Sequence, residues 1–300
     1  MLIAKLPLFT GCATALVTPF LPDGSLDVPA LERLIVRQVD AGIDALVLLG
    51  TTGEPCTLSM DEREAVIRTG IELAADKIPV IIGTGSNDTR RSMDYAMQAK
   101  RLGAHAQLCV TPYYNKATQQ GLIRHFSTVL DTCELPMILY NVPGRTGVSL
   151  SVNTISALSK HPHVIGLKEA SGSISFASEI LRVTDGALPL YCGNDDAVTA
   201  LMSMGALGSI SVCSNVVPMQ MRALTLACLS DCFTEARNMQ LSMLPLINLL
   251  FAQVNPIPVK AALAMQGLIY DALRLPLTPM EEPHRSALQT AMKNMHLLDK

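Results

Sequence analysis

Nine lysines occur in the chain, and one of them, Lys168, ends a continuous apolar run, Val164-Ile165-Gly166-Leu167. The others fall near the termini, on polar helical faces or in loops. An ammonium at the end of such a run is partly desolvated, which disfavours its charged form. A free lysine amine has a pKa of about 10.4. Lowering that to roughly 7–8 supplies a neutral nucleophile near neutral pH, able to bond a carbonyl carbon as a Schiff base. Position alone serves equally well a lysine that snorkels at a strand end, or one paired with Glu169 or Asp195.

The tyrosines favour the nucleophile. There are six, and three of them, Tyr113, Tyr114 and Tyr140, follow or end apolar runs. Imine formation moves protons from the amine to a leaving water, and phenols joined through a hydroxyl such as Thr51 can carry them. Aromatic rim packing is the alternative reading. No histidine occurs in these segments, so a phenol route is the one available. Thr51, Thr52 and Gly53 offer hydroxyls and backbone N–H groups to a carboxylate, although an ordinary turn fits the same residues. Arg145 follows Pro143-Gly144 and suits bidentate capture of a second carboxylate, or a surface salt bridge.

These residues need a scaffold that brings distant loops together. Eight short apolar runs recur along the chain, at 12–17, 45–49, 79–83, 106–110, 137–141, 164–168, 188–192 and 208–213. Most are continuous rather than alternating, as expected of strands covered on both faces. Helical periodicity fills the gaps: Val28 to Ala41, Met60 to Ala75, Asp88 to Leu102, Gln119 to Cys133, Ser151 to Lys160, Ser173 to Val183 and Asp195 to Met204. Ser59 with Glu62 reads as a capping box. Strict βα alternation demands parallel strands and right-handed crossovers, and eight units predict an α/β fold, a (βα)8 TIM barrel. Residues 1–216 form the barrel, closed by the helix that follows. Residues 217–300 read as a helical extension packed on it and used for assembly, within one structural unit. Active sites of such barrels lie at the carboxyl ends of the strands. The segments after runs two, four, five, six and seven are therefore expected at one mouth.

The bulk composition excludes several classes. Of 300 residues, 49% are apolar and only 16% charged, so a large core is available and some apolar surface is expected to be covered by further subunits. The net charge of −3 and the lack of a basic stripe argue against nucleic acid. The first twenty residues carry a single early charge, Lys5, and break at Gly11 and Thr18-Pro19, so no leader peptide is expected. The stretch Met243 to Val254 is too short to span a bilayer. Eight cysteines without a Cys-x-x-Cys pair read as reduced core thiols in a reducing compartment, the cytoplasm. Gly83-Thr84-Gly85 lacks the remaining glycine of a dinucleotide fingerprint, since Asp88 follows. The six histidines have no ligand spacing, so no metal and no other cofactor are expected.

Four segments in order carry a resemblance: Gly50-Thr51-Thr52-Gly53-Glu54, Thr111-Pro112-Tyr113-Tyr114-Asn115, Tyr140-Asn141-Val142-Pro143-Gly144-Arg145-Thr146-Gly147 and Leu167-Lys168-Glu169-Ala170. With them the chain resembles the 4-hydroxy-tetrahydrodipicolinate synthase (dihydrodipicolinate synthase) family, in the superfamily of N-acetylneuraminate lyase and other pyruvate-dependent class I aldolases. The resemblance runs from about Gly11 to the Asn255-Pro256-Ile257-Pro258-Val259-Lys260 segment. It implies a lyase that joins pyruvate, held as an imine on Lys168, to L-aspartate 4-semialdehyde, the first committed step of diaminopimelate and lysine biosynthesis. It further implies that Tyr140, Thr51 and Tyr114 relay protons, with Tyr114 reaching a neighbouring subunit's site in a homodimer or homotetramer. Arg145 then holds the semialdehyde carboxylate, Thr52 contacts the pyruvate carboxylate, and Gly193 and Ile210 line the site. Lyase-type relatives usually carry Ser-Thr in place of Thr51-Thr52 and lack the Arg-Thr-Gly of 145–147, so that activity is the alternative. At the family's lysine-inhibition pocket this chain has Met60, Arg63, Asn87, Arg91 and Tyr113. Arg91 stands where a glutamate binds the lysine amine, and weak or absent inhibition is expected.

Overall fold

The computed structural model describes residues 4–74 and 76–298. Residues 1–3, read above with the barrel, Ala75, read as the end of a helix, and residues 299–300, read with the extension, lie outside the described residues. Among the described residues eight parallel strands close into a barrel: β1 (Gly11–Ala15), β2 (Ala45–Leu48), β3 (Val80–Gly83), β4 (Ala106–Val110), β5 (Met137–Asn141), β6 (Val164–Glu169), β7 (Leu190–Cys192) and β8 (Gly208–Ser211). β8 returns to β1 with Gly208 opposite Gly11. A Cβ on Gly208 would stand 1.9 Å from the Gly11 carbonyl oxygen, so the seam closes on glycine.

The strands are apolar throughout because they have two covered faces. In β2, Ala45 and Val47 join Ala13, Ile81 and Leu108 inside the barrel, while Leu46 and Leu48 pack outward against helices. Each such leucine or isoleucine contributes roughly 1.5–3 kcal/mol by leaving water. The helices are α1 (Val28–Asp40), α2 (Met60–Ala74), α3 (Thr89–Arg101), α4 (Gln119–Cys133), the one-turn α5 (Pro143–Thr146), α6 (Val152–Leu158), α7 (Ile174–Val183), α8 (Val198–Ser203), α9 (Pro218–Leu229), α10 (Phe233–Leu250), α11 (Ile257–Met265) and α12 (Glu282–Asn294). Their starts follow side-chain chemistry. Asp27 accepts the Ala30 N–H at 3.0 Å. Ser59 Oγ accepts the Glu62 N–H at 3.2 Å while Glu62 accepts the Ser59 N–H at 2.9 Å, which is the expected reciprocal cap. Helix α9 packs against β1 and β8, and α10 packs on α8, α9 and α12.

Three strands stop sooner than their apolar runs, β2 by one residue and β1 and β8 by two, and for the latter pair the reason is local. After Leu16, whose N–H still donates to the Val47 carbonyl at 3.0 Å, the chain leaves the ladder, with Val17 N donating to Asn215 Oδ1 at 3.2 Å. After Ser211 the N–H groups of Val212 and Cys213 turn to the Asp195 carboxylate, at 2.9 and 2.8 Å. Val17, Val212 and Cys213 are buried without being paired in the sheet. Asp195–Ala197 is likewise a 3₁₀ turn, not the start of α8. At the amino end the barrel is plugged. The Phe9 ring stacks on Tyr191 at 4.4 Å, whose hydroxyl donates to the Phe9 carbonyl at 2.9 Å. Lys5 Nζ donates to the carbonyls of His161 and Val164 just outside. Among the described residues no helix is long and apolar enough to cross a membrane.

Candidate active site

The register of β5 against β6 sets Tyr140 opposite Lys168 and Asn141 opposite Glu169. Residues alternate across the barrel wall, so Tyr140 and Lys168 face the interior at its carboxyl end. Lys168 is 5% exposed, and its Nζ stands 4.5 Å from the centre of the Tyr140 ring. The two carboxylates offered above as structural partners are engaged elsewhere. Glu169 accepts from Asn141 Nδ2 at 2.8 Å and from the Ser171 N–H at 2.5 Å. Asp195 takes the two N–H groups named above. Burial raises both carboxyl groups above their ordinary range. Among the described residues Lys168 forms no ion pair.

A cavity of about 480 Å³ opens over this lysine, and Thr51, Thr52, Tyr140, Arg145, Lys168 and Gly193 all line it. Thr51–Gly53 forms a 3₁₀ turn flanked by Leu49 and Glu54, both in the left-handed backbone region, at φ of 57° and 50°. Such strained non-glycine positions persist only where their surroundings fix them. Here Thr18 donates to the Gly53 carbonyl at 2.7 Å. Behind the turn, Glu54 and Lys260 form a fully buried ion pair at 2.6 Å, and Lys260 Nζ lies 4.2 Å from the Phe20 ring centre. Lys260 is thus a second buried lysine, which the sequence reading left among the exposed ones. Its paired carboxylate and its place behind the wall set it apart from Lys168.

Other residues singled out above are dispersed. Ile210 is wholly buried in the barrel interior beside Tyr140 and Tyr191, below the cavity. Tyr114 is 89% exposed, with φ of 72°, and does not line the cavity of its own chain. Tyr113 lines an adjoining space of about 310 Å³ that shares Thr51, Tyr140 and Arg145 with the first. Burial and the nearby Cys56 thiol push its phenol up to about 12. Arg63 is buried, stacked 3.7 Å from the Tyr95 ring centre and donating to the Gly83 carbonyl at 2.9 Å. Burial pulls its guanidinium down to about 10. Met60 and Arg91 lie at the surface, and the Asn87 carbonyl accepts from Asn115 at 2.9 Å. The cysteines are free, and burial pushes the thiols of Cys109 and Cys192 up to about 12, which leaves them un-ionised at neutral pH.

Asn194, Asp195 and Asp196 after β7 line the cavity, as expected of that segment, whereas its roof was not foreseen: Asn248 and Phe251, at the end of α10, and Asn255 just beyond. Asn255 Nδ2 donates to Thr52 Oγ1 at 3.0 Å, and its carbonyl accepts from Arg145 at 3.3 Å. The available signal was the Asn255–Lys260 segment, whose polar ends sit between apolar residues and prolines.

A buried lysine, without an ion pair among the described residues, thus stands beside a tyrosine at the carboxyl end of a closed parallel barrel. Residues 8–295 match the model of the dihydrodipicolinate synthetase family. This chain belongs to that family. It is 46% identical over 287 residues to a 4-hydroxy-tetrahydrodipicolinate synthase of Exiguobacterium sibiricum, covering 96% of this chain and 98% of the relative. The crystal structure of dihydrodipicolinate synthase from Thermotoga maritima matches with a TM-score of 0.95 at 41% identity, covering 97% of this chain and all of that one. The chloride-inhibited synthase of Acinetobacter baumannii complexed with pyruvate matches with a TM-score of 0.95 at 42% identity, over 96% of this chain and 99% of that one. Family membership therefore spans both the barrel and the helices that roof its mouth.

Proposed function

We propose that the chain condenses pyruvate with L-aspartate 4-semialdehyde to give 4-hydroxy-tetrahydrodipicolinate, the first committed step toward diaminopimelate and lysine. One observation carries this: Lys168 is buried at the end of β6, beside Tyr140, with no carboxylate paired to it among the described residues. Its amine attacks the keto carbon of pyruvate, and water leaves as the imine forms. Loss of a methyl proton gives the enamine, whose carbon bonds the aldehyde carbon of the second substrate. The amine of that substrate then displaces Lys168 from the former keto carbon, closing the ring and returning the free lysine. One water is released overall.

The protons of these steps pass through Tyr140 and Thr51, at the same wall. Thr52 and the 3₁₀ turn hold the pyruvate carboxylate, and Arg145 the semialdehyde carboxylate. Gly193 leaves room for the lysine stem, and Ile210 supports the floor. Tyr114, exposed on its own chain, serves the site of a second copy, so the working unit is a homodimer within a homotetramer. The enzyme acts in the cytoplasm and needs no cofactor. The Met60, Arg63, Asn87, Arg91 and Tyr113 pocket is degraded as a lysine receptor.

Borohydride treatment in the presence of pyruvate tests the reading. The reduced pyruvate adduct is expected on the peptide carrying Lys168, and Lys168→Ala should abolish it. An adduct on another lysine, or none, would sink the mechanism. A coupled assay with L-aspartate 4-semialdehyde against N-acetylneuraminate separates a synthase from a lyase.

A further inference from the structure

Glu54 directly follows the 3₁₀ turn Thr51–Gly53, whose two threonines line the cavity over Lys168. Its backbone is left-handed and its N–H donates to the Thr51 carbonyl at 3.3 Å, so the turn moves with it. Its carboxylate meets the Lys260 ammonium of α11 at 2.6 Å, both side chains being buried, and accepts the Arg274 N–H at 3.3 Å. The same carboxyl-terminal segment reaches the turn a second time, through Asn255 Nδ2 on Thr52 Oγ1. Stability does not account for the ion pair. Taking two charges out of water costs about as much as their attraction returns, and apolar residues of similar volume commonly hold a core as well or better. An ion pair adds a fixed direction. The turn lies between two left-handed residues, Leu49 and Glu54, and such a backbone keeps its shape only where its surroundings impose it.

We propose that Glu54 and Lys260 are positioning residues for the keto acid: their buried pair locks the Thr51–Gly53 turn in the attitude that receives the pyruvate carboxylate. This rests on the function proposed above. Neither residue touches pyruvate; both act through the turn. The bound carboxylate in its place directs the keto carbon onto the Lys168 amine. A relaxed turn is therefore felt as slower imine formation by a substrate that carries the carboxylate, and hardly at all by one that does not. Lys260 is thereby tied to the same step as Lys168, one amine fixing the seat and the other forming the bond.

The test compares two keto compounds by their rates of borohydride trapping on Lys168. One is pyruvate; the other is pyruvamide, in which a neutral amide of similar shape replaces the carboxylate. Glu54→Met combined with Lys260→Met removes both charges at similar volume and strands neither. Pyruvate trapping in this variant should slow about ten-fold or more, because the keto carbon is then held off line from the amine. Pyruvamide, which gives the turn no charge to hold, should be trapped within about two-fold of the unmodified rate. A general disturbance of Lys168 or of the barrel slows both compounds alike and leaves their ratio unmoved. Glu54→Gln combined with Lys260→Met takes the place of the first variant if that does not fold. An unchanged ratio, whether both rates hold or both fall, overturns the proposal. So does failure of both paired variants to fold, which would make the ion pair a stability device. Absence of a pyruvate adduct on Lys168 in the unmodified enzyme would overturn the underlying function instead.

Discussion

The Lys168 stem runs against Gly193. A Cβ there would stand 3.0 Å from Lys168 Cε and 2.7 Å from the Ala170 Cβ. Gly193→Ala is therefore expected to push the lysine aside without unfolding the barrel. A displacement of about 1 Å costs on the order of 100-fold in rate. The pyruvate adduct should form correspondingly slowly in single-turnover trapping, with a lower melting temperature because the Ala170 Cβ and the Glu169 carbonyl must also shift; trapping at the unmodified rate would count against this placement. Arg91 matters in a different way. It is exposed on α3, and on the proposed reading it sets a positive charge where an ammonium would have to bind. Free lysine is expected to leave turnover unchanged, and strong inhibition below millimolar concentration would contradict this. The lysine, the two threonines, Tyr140 and Arg145 were legible because each ends or follows an apolar run. Asn255 was not, because its partner Thr52 lies 203 positions away and local periodicity carries no trace of such a contact.

Among the elements, the turn after β2 is tied to the carboxyl-terminal segment by a chain of charges. Glu54 pairs with Lys260 and accepts the Arg274 N–H, while the Arg274 guanidinium binds Glu62 in the cap of α2. Removing one member of the buried Glu54–Lys260 pair would strand the other without compensation, whereas Glu62, its side chain 26% exposed, can be titrated. Arg274 holds the Glu62 carboxyl down to about 2, from an ordinary value of 4.5. The folded value is the lower one, so the stability it supplies is present above about pH 4.5 and lost as pH falls toward 2. Unfolding by denaturant should show Glu62→Gln less stable than the unmodified protein by about 1–3 kcal/mol at neutral pH. The gap should close between pH 4.5 and 2, and a gap that persists there would refute the assignment. The capping box at Ser59 was plain in the sequence; its continuation to Arg274 was not, since loops carry no period that reveals their neighbours. The apolar runs overshot β1 and β8 for a related reason, because Leu16, Val17, Val212 and Cys213 are buried by turns that hydrophobicity cannot tell from strands.

For the whole molecule, the barrel was readable from eight continuous apolar runs, since both faces of each strand must be covered. The role of the helices after β8 was less so. They were read as an assembly device, yet α10 and the segment beyond it bring Asn248, Phe251 and Asn255 over the cavity. The proposed association would enter through Tyr114. If its phenol completes the site of a second copy, mixing inactive Lys168→Ala with inactive Tyr114→Ala protein, then exchanging subunits, should restore turnover in the hybrids. Failure to recover activity, with exchange verified by mass, would place Tyr114 outside the reaction. The plug of Phe9, Tyr191 and Lys5 has a further consequence. With the amino end filled by these side chains, substrates are expected to reach Lys168 from the carboxyl end, where the cavity lies. The keto acid must enter before the aldehyde, and the expelled water must exit past the place the aldehyde will occupy. The fold itself thus imposes a queue, and an excess of early-arriving aldehyde should obstruct the deeper seat.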